Sequence, residues 1–180
     1  MDETGADGEE EIGEDAGAEA GEARGKETER AEKDEGKRFL ADLMLIRLAR
    51  WLRLLGQDVA LPASQRNGDL IHQAAQEGRT VITRDRGLSQ SCQKAGVHCI
   101  LISSSDISGQ LEEMAAAGVP LQLDPKRCTV CNGLLDEIEQ QQGQMWQCRD
   151  CRKLYWKGGH WKGIKKRLEE LRGRSGTCKR

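Results

Sequence analysis

Two groups of residues in this 180-residue chain have the types and spacing for chemistry. The first is a pair of C-x-x-C motifs, Cys128-Thr129-Val130-Cys131 and Cys148-Arg149-Asp150-Cys151, separated by 16 residues. Two such knuckles at this distance match the four-cysteine zinc pattern. They predict one Zn²⁺ held tetrahedrally by four thiolates, a structural site with no open position. Asn132-Gly133 supplies the tight turn after the first pair. A redox role suits a single C-x-x-C beside a βαβ unit better than two paired knuckles, and disulfides are not expected without a secretion signal. The second group is a set of acids, Asp42, Asp69, Asp85 and Asp106. Carboxylates crowded on one rim repel unless a cation sits among them. A set with few other ligands suits Mg²⁺ or Mn²⁺, which keep several waters and accept phosphate oxygens. Such a metal activates water for attack on a phosphodiester.

Those acids need a scaffold that brings them together. Phe39-Leu40-Ala41 is a short apolar run that predicts a buried strand ending at Asp42. Apolar residues then recur at helical spacing from Leu43 to Leu55, with Arg47, Arg50 and Arg53 between them and Gly56 as stop. Residues 58–61 predict a second strand. Asn67-Gly68-Asp69 reads as a turn and N-cap that opens a helix over 70–77. Residues 80–83 predict a third strand, with Arg84-Asp85 just beyond it. A short helix over 88–95, a strand over 97–102 and a helix over 107–117 complete the alternation, with Asp106 before the last. Strands alternating with helices imply βαβ units, hence an α/β fold with a parallel sheet covered on both faces. Ligands of such sheets bind beyond the C-terminal ends of the strands, which is where Asp42, Asp85 and Asp106 fall. Taken singly, each of these acids reads equally as the cap of the next helix.

Charge divides the chain in three. Residues 1–38 hold 15 acids against 6 bases, a net of −9, with no aromatic, Val or Leu. Such a stretch buries too little apolar surface to offset its chain entropy, so residues 1–37 are expected to be a disordered acidic tail. Residues 39–125 are near neutral at −1, and residues 126–180 carry +8. In the basic segment Tyr155, Trp156 and Trp161 are interleaved with Lys157, Lys162, Lys165, Lys166 and Arg167. Bases neutralise phosphates and aromatics stack nucleobases, although an aromatic can equally pack the ribbon onto the final helix. Cys92 and Cys99 read as core residues, His98 as a core or edge position and His72 as an exposed helix residue. No phosphate-binding glycine loop, dinucleotide fingerprint or serine nucleophile elbow occurs. No apolar run approaches the roughly 20 residues of a membrane span, and the acidic N-terminus predicts neither a signal peptide nor a transit peptide.

Several of these segments together carry a resemblance. Residues 39–45 (FLADLML), 47–53 (RLARWLR), Leu55-Gly56, Thr83-Arg84-Asp85 and the paired cysteines followed by Tyr155-Trp156-Lys157-Gly158-Gly159-His160-Trp161 resemble the Mut7-C RNase domain. The match extends over about residues 38–171. It implies a PIN-like nuclease fold joined to a C-terminal zinc ribbon. It also implies that Asp42 is the first metal-binding acid, Asp85 the acid after the third strand, Asp69 the helix acid and Asp106 the last. Arg47, Arg50 and Arg53 match the family's basic helix and are implied to contact RNA phosphates. Ile46 stands where the family usually has Gly, Asn67-Gly68-Asp69 replaces a more acidic run, and Ile107 follows Asp106 where another acid is common.

The expectation is a Mg²⁺- or Mn²⁺-dependent ribonuclease acting on single-stranded RNA, with a structural zinc ribbon. Its domains would be a PIN-like unit over 38–125, a ribbon with a basic helix over 126–172, and a flexible tail over 173–180. Asp42, Asp69, Asp85 and Asp106 would be catalytic. Arg47, Arg50, Arg53, Arg84, Lys157, Trp161, Lys165 and Lys166 would contact RNA, and Cys128, Cys131, Cys148 and Cys151 would hold zinc. The alternatives are a non-catalytic RNA-binding module and a protein-interaction scaffold. Cysteine usage suggests an intracellular, reducing compartment, the cytoplasm before the nucleus.

Overall fold

The alternation of short apolar runs with amphipathic stretches folds as a parallel sheet. In a computed structural model of the chain the described residues are 37–140 and 143–175. The strands β1 (Phe39–Ala41), β2 (Val59–Ala60), β3 (Thr80–Thr83) and β4 (Cys99–Leu101) form one sheet in the order β2-β1-β3-β4. All neighbouring pairs are parallel, and Phe39, Leu40 and Ala41 face Thr80, Val81 and Ile82. Side chains of a strand alternate between faces. Phe39, Ala41 and Ile82 therefore enter one core with Leu48, Leu52, Leu111 and Met114, while Leu40 and Val81 enter a second with Leu70, Ala74, Leu88 and Cys92. The first face is covered by α1 (Ile46–Leu54) and α4 (Ile107–Ala116), the second by α2 (Asn67–Glu77) and α3 (Arg86–Lys94).

The expected helix from Leu43 begins with a 3-10 turn, Leu43–Leu45, before α1, and it ends where Gly56 takes φ +78. A side chain is strained at that φ, and a Cβ there would also stand 3.0 Å from Asp124 Oδ2. Helix α2 begins earlier than its turn-like residues suggest. Asn67, Gly68 and Asp69 are already helical, and Arg66 occupies the N-cap without a side-chain cap.

Beyond residue 125 an antiparallel ribbon follows, built of β5 (Leu135–Gln140), β6 (Gly143–Cys148) and β7 (Leu154–Trp156) in that order. The last helix, α5 (Gly159–Ser175), returns to the parallel sheet. Its Leu168 and Leu171 are buried in the first core, so by packing α5 is part of the sheet domain. It also extends through three residues expected to be a flexible tail. The described residues form one compact unit, and the ribbon is tied into it. The acidic segment over 1–36 lies outside the described residues.

One tie is a charged cluster under the sheet edge. The Arg79 guanidinium donates to Asp58 Oδ1 at 2.7 Å, to Glu77 Oε2 at 2.5 Å and to the Phe39 carbonyl at 3.2 Å. Asn132 Nδ2 donates to the same Asp58 oxygen at 2.7 Å. Burial alone raises the Asp58 pKa, but the hydrogen bonds from Arg79 and Asn132 outweigh it and hold the carboxyl below the usual range. A carboxyl depressed in the folded state contributes stability above its unfolded pKa of about 3.9, and that contribution is lost as pH falls through the folded value. Asp58→Asn is therefore expected to be less stable than wild type near pH 6, with the gap narrowing below about pH 4. Urea midpoints of both proteins across that range test this; a gap independent of pH would contradict it.

Candidate functional site

The order β2-β1-β3-β4 reverses direction between β1 and β3, and a ligand crevice is expected at such a switch point, beyond the strand ends. Asp42 follows β1 and Asp85 follows β3 by two residues. The buried Thr83 hydroxyl links them, donating to Asp42 Oδ2 at 2.8 Å and accepting from the Asp85 amide at 3.0 Å. The sheet register makes this inevitable, since Ala41 pairs with Ile82 and the next position on each strand is Asp42 and Thr83. Thr83 was not singled out as a site residue in the sequence; its signal was parallel pairing of the two strands in that register.

Asp85 is also the N-cap of α3. Its Oδ1 accepts from the Gly87 amide at 2.7 Å and the Leu88 amide at 3.2 Å. Asp106 plays the same part for α4, with Oδ1 accepting from Ser108 and Gly109 at 3.0 and 3.1 Å. The Gly109 amide, with that of Ser108, keeps the exposed Asp106 carboxyl below its ordinary range. A further acid at the rim, Glu113 of α4, reaches back to the end of β4. It accepts from the Ser103 and Ser104 amides, both at 2.8 Å, and from the Ser104 hydroxyl at 2.5 Å.

Asp69 is exposed on the first turn of α2, where it pairs with Arg66 at 3.1 Å. A cleft of about 280 Å³ opens beside Asp42, and its α2 wall is formed by Asn67 and Leu70 rather than by Asp69. Among the described residues, no three of the four sequence-predicted acids bring carboxylate oxygens within 4.8 Å of one another. Thr83 ties the Asp42 carboxylate to the backbone of Asp85, and Mg²⁺ is commonly held by one or two carboxylates plus waters and substrate phosphates.

The cysteines do gather. The four sulfurs of Cys128, Cys131, Cys148 and Cys151 all lie within 4.8 Å of one another, with Cys128–Cys151 at 3.6 Å and Cys131–Cys148 at 3.4 Å. Thiolates about 2.3 Å from a central Zn²⁺ stand about 3.8 Å apart, so the set fits that ion. The two knuckles are built alike. Asn132 and Arg152, each following the second cysteine of its pair, take left-handed φ of 70 and 60. The Asn132 amide donates to Cys128 O and the Arg152 amide to Cys148 O. The thiols oppose one another: burial pushes Cys128 up but amides of Cys131 and Val130 and the Tyr155 hydroxyl outweigh it and bring it down to about 6, while burial and the neighbouring thiols push Cys131 up to about 12.

The basic residues divide into two kinds. Arg47, Arg50 and Arg84 are exposed. Arg53, implied to contact RNA, is instead 2% exposed. Its Nε donates to Val59 O, and its Nη1 donates to Thr129 O and Val130 O. It fastens α1 and β2 to the first cysteine knuckle and has no access to a phosphate. Trp161 is likewise engaged, stacked on Trp146 with ring centroids 5.4 Å apart. Lys157 bonds Gln144, Lys165 pairs with Glu169 at 3.9 Å, and Lys166 is exposed. Arg167 donates to Ser108 at 3.0 Å and lies over Trp51, which brings the basic face of α5 up to the Asp106 end of the rim.

Fold and site together define a parallel α/β domain with strand-end acids, carrying a four-cysteine ribbon. The family model for the Mut7-C RNAse domain matches residues 37–168, and the chain belongs to that family. An RNase-type function, with RNA as the substrate class, comes with that membership. No curated protein and no solved structure matches the chain. No helix among the described residues is long and apolar enough to cross a membrane.

Proposed function

We propose that the chain is a divalent-metal-dependent ribonuclease that hydrolyses single-stranded RNA at the strand-end crevice. The observation that carries this is the Thr83-bridged pair Asp42 and Asp85 at the switch point of the sheet. Asp42 and the free Oδ2 of Asp85 would hold Mg²⁺ or Mn²⁺, which, when bound, supplies an activated water and charge stabilisation on the phosphodiester. Thr83 orients the Asp42 carboxylate by donating its hydroxyl to Oδ2. Asp106 and Asp69 lie further out, and their part would be to attract the cation rather than to seat it. The exposed Arg47, Arg50, Arg84 and Lys166 would steer and hold the RNA backbone. The zinc ribbon contributes structure to that surface. A four-thiolate site calls for a reducing compartment, so we assign the protein to the cytoplasm first and the nucleus second.

The test is cleavage of a labelled single-stranded RNA by purified chain in Mn²⁺ or Mg²⁺, beside Asp42→Asn and Asp85→Asn. Loss of a few kcal/mol of transition-state stabilisation predicts a fall of about 100-fold or more in each variant. Undiminished cleavage in both, or none in wild type with either metal, would falsify the hydrolytic reading. That no three acids form a metal-holding cluster among the described residues favours a second reading, an RNA-binding module without turnover. It predicts salt-sensitive binding and no cleavage with any divalent metal.

A further inference from the structure

We propose that the groove between α1, the first cysteine knuckle and the start of α5 binds an unpaired base of single-stranded RNA, with Trp156 as the stacking platform and Arg47 and Arg50 on the adjoining phosphates. The inference rests on the reading of RNA as substrate, not on turnover. The groove has a volume of about 360 Å³ and no acid in its lining. Trp156 is 66% exposed, the most exposed large apolar side chain among the described residues. Trp156 stands apart from Trp146 of the neighbouring strand, which is buried and stacked on Trp161.

The ring also lies close to the backbone of Gly158: a Cβ there would stand 3.2 Å from Trp156 Nε1 and 3.4 Å from Cδ1, so a larger residue requires the indole to shift by a few tenths of an ångström. The opposite wall is rigid: the Tyr155 hydroxyl is 3.1 Å from both Cys128 Sγ and Thr129 Oγ1. Trp161 lends only an edge, because its face is taken by Trp146. Arg47 and Arg50 are exposed on α1 and form no ion pair among the described residues. Helix α1 starts four residues after Asp42 and runs about 12 Å from Ile46 to Leu54, so a strand bound here continues toward the rim acids. Cations beside a bare indole suit an aromatic ring attached to a phosphate; an acidic peptide would satisfy the arginines and leave Trp156 without a role. Duplex RNA keeps its bases stacked and cannot use the platform.

The experiment measures fluorescence anisotropy of a labelled ten-nucleotide single strand and of a blunt duplex of the same sequence. It uses the full zinc-loaded chain in the Asp42→Asn background, which prevents cleavage on the proposed mechanism. Trp156→Ala is expected to weaken single-strand binding about 10-fold or more with duplex binding changed less than about 2-fold. Trp156→Phe should recover most of the loss, and Gly158→Ala, which crowds the indole, should weaken single-strand binding alone. Unchanged single-strand affinity in Trp156→Ala overturns the proposal. So does equal loss for both RNAs, or displacement of the strand by oligo-glutamate from wild type and Trp156→Ala alike. Cleavage by wild type is scored separately, so absent turnover with a Trp156-dependent single-strand preference would refute the ribonuclease reading and leave this one standing.

Discussion

Cys148→Ser is expected to release zinc and cost the ribbon its order while the parallel sheet survives. The side chain is fully buried among the other three thiols, and Trp146 is the one large buried apolar side chain among the described residues of the ribbon strands. Structural zinc supplies about 10–16 kcal/mol in small peptides, comparable with or greater than the whole stability of a typical domain. The sheet domain, by contrast, keeps two apolar clusters that contain no zinc ligand, and α5 is anchored there by Leu168 and Leu171. Hydrogen exchange should show protection lost in β5–β7 and retained in β1 and β3, with zinc content near zero. Retained protection across β6 in the zinc-free variant would contradict it. Single-strand RNA binding should fall with the ribbon, because Tyr155 and Thr129 form a wall of the Trp156 groove.

Arg53→Met is expected to destabilise the folded chain by about 3 kcal/mol or more. Three carbonyls, Val59, Thr129 and Val130, lose a charged donor. A hydrogen bond to a charged group is worth about 1.5–3 kcal/mol, and an acceptor left buried without a partner costs more than the bond itself contributed. Methionine fills most of the volume, so the loss reports the hydrogen bonds and not a cavity. Arg53→Lys should recover only part, since one ammonium cannot span the fork of acceptors on two elements. Urea midpoints measure the effect; a change under about 1 kcal/mol would refute the role. A phosphate-contacting arginine would show the opposite pattern, with RNA binding lost and stability kept.

Arg53 shows where reading the chain ran out. Arg47, Arg50 and Arg53 look equivalent in one dimension, each between apolar residues. A helix turns 100° per residue, so each step of three drifts by about 60° and two steps move the side chain about 120° around the axis. Arg47 and Arg50 stay on the exposed face, and Arg53 drifts to the edge where β2 and the cysteine knuckle meet. No local pattern announces that the acceptors come from residues 76 and 77 positions later.

The strands were legible because short apolar runs bounded by Asp, Gly and Pro have few alternatives. The four sulfurs were legible because the C-x-x-C spacing itself encodes a knuckle. Trp161 is ambiguous in sequence because stacking on Trp146, which the structure shows, and stacking on a base leave the same trace, a tryptophan among lysines. Asp69 reads in sequence as an acid at a helix start that could reach the rim; the first turn of α2 offers Asn67 to the cleft beside Asp42 and pairs Asp69 with Arg66.

Asp85 and Asp106 each commit one oxygen to the start of a helix, and the other accepts no hydrogen bond among the described residues. Alanine scanning at these two positions would therefore conflate two losses, an unseated α3 or α4 and a missing negative charge. Asparagine presents a similar oxygen to the amides and drops only the charge. The difference in activity between the Ala and Asn variants at each position thus isolates how much of its importance is architectural.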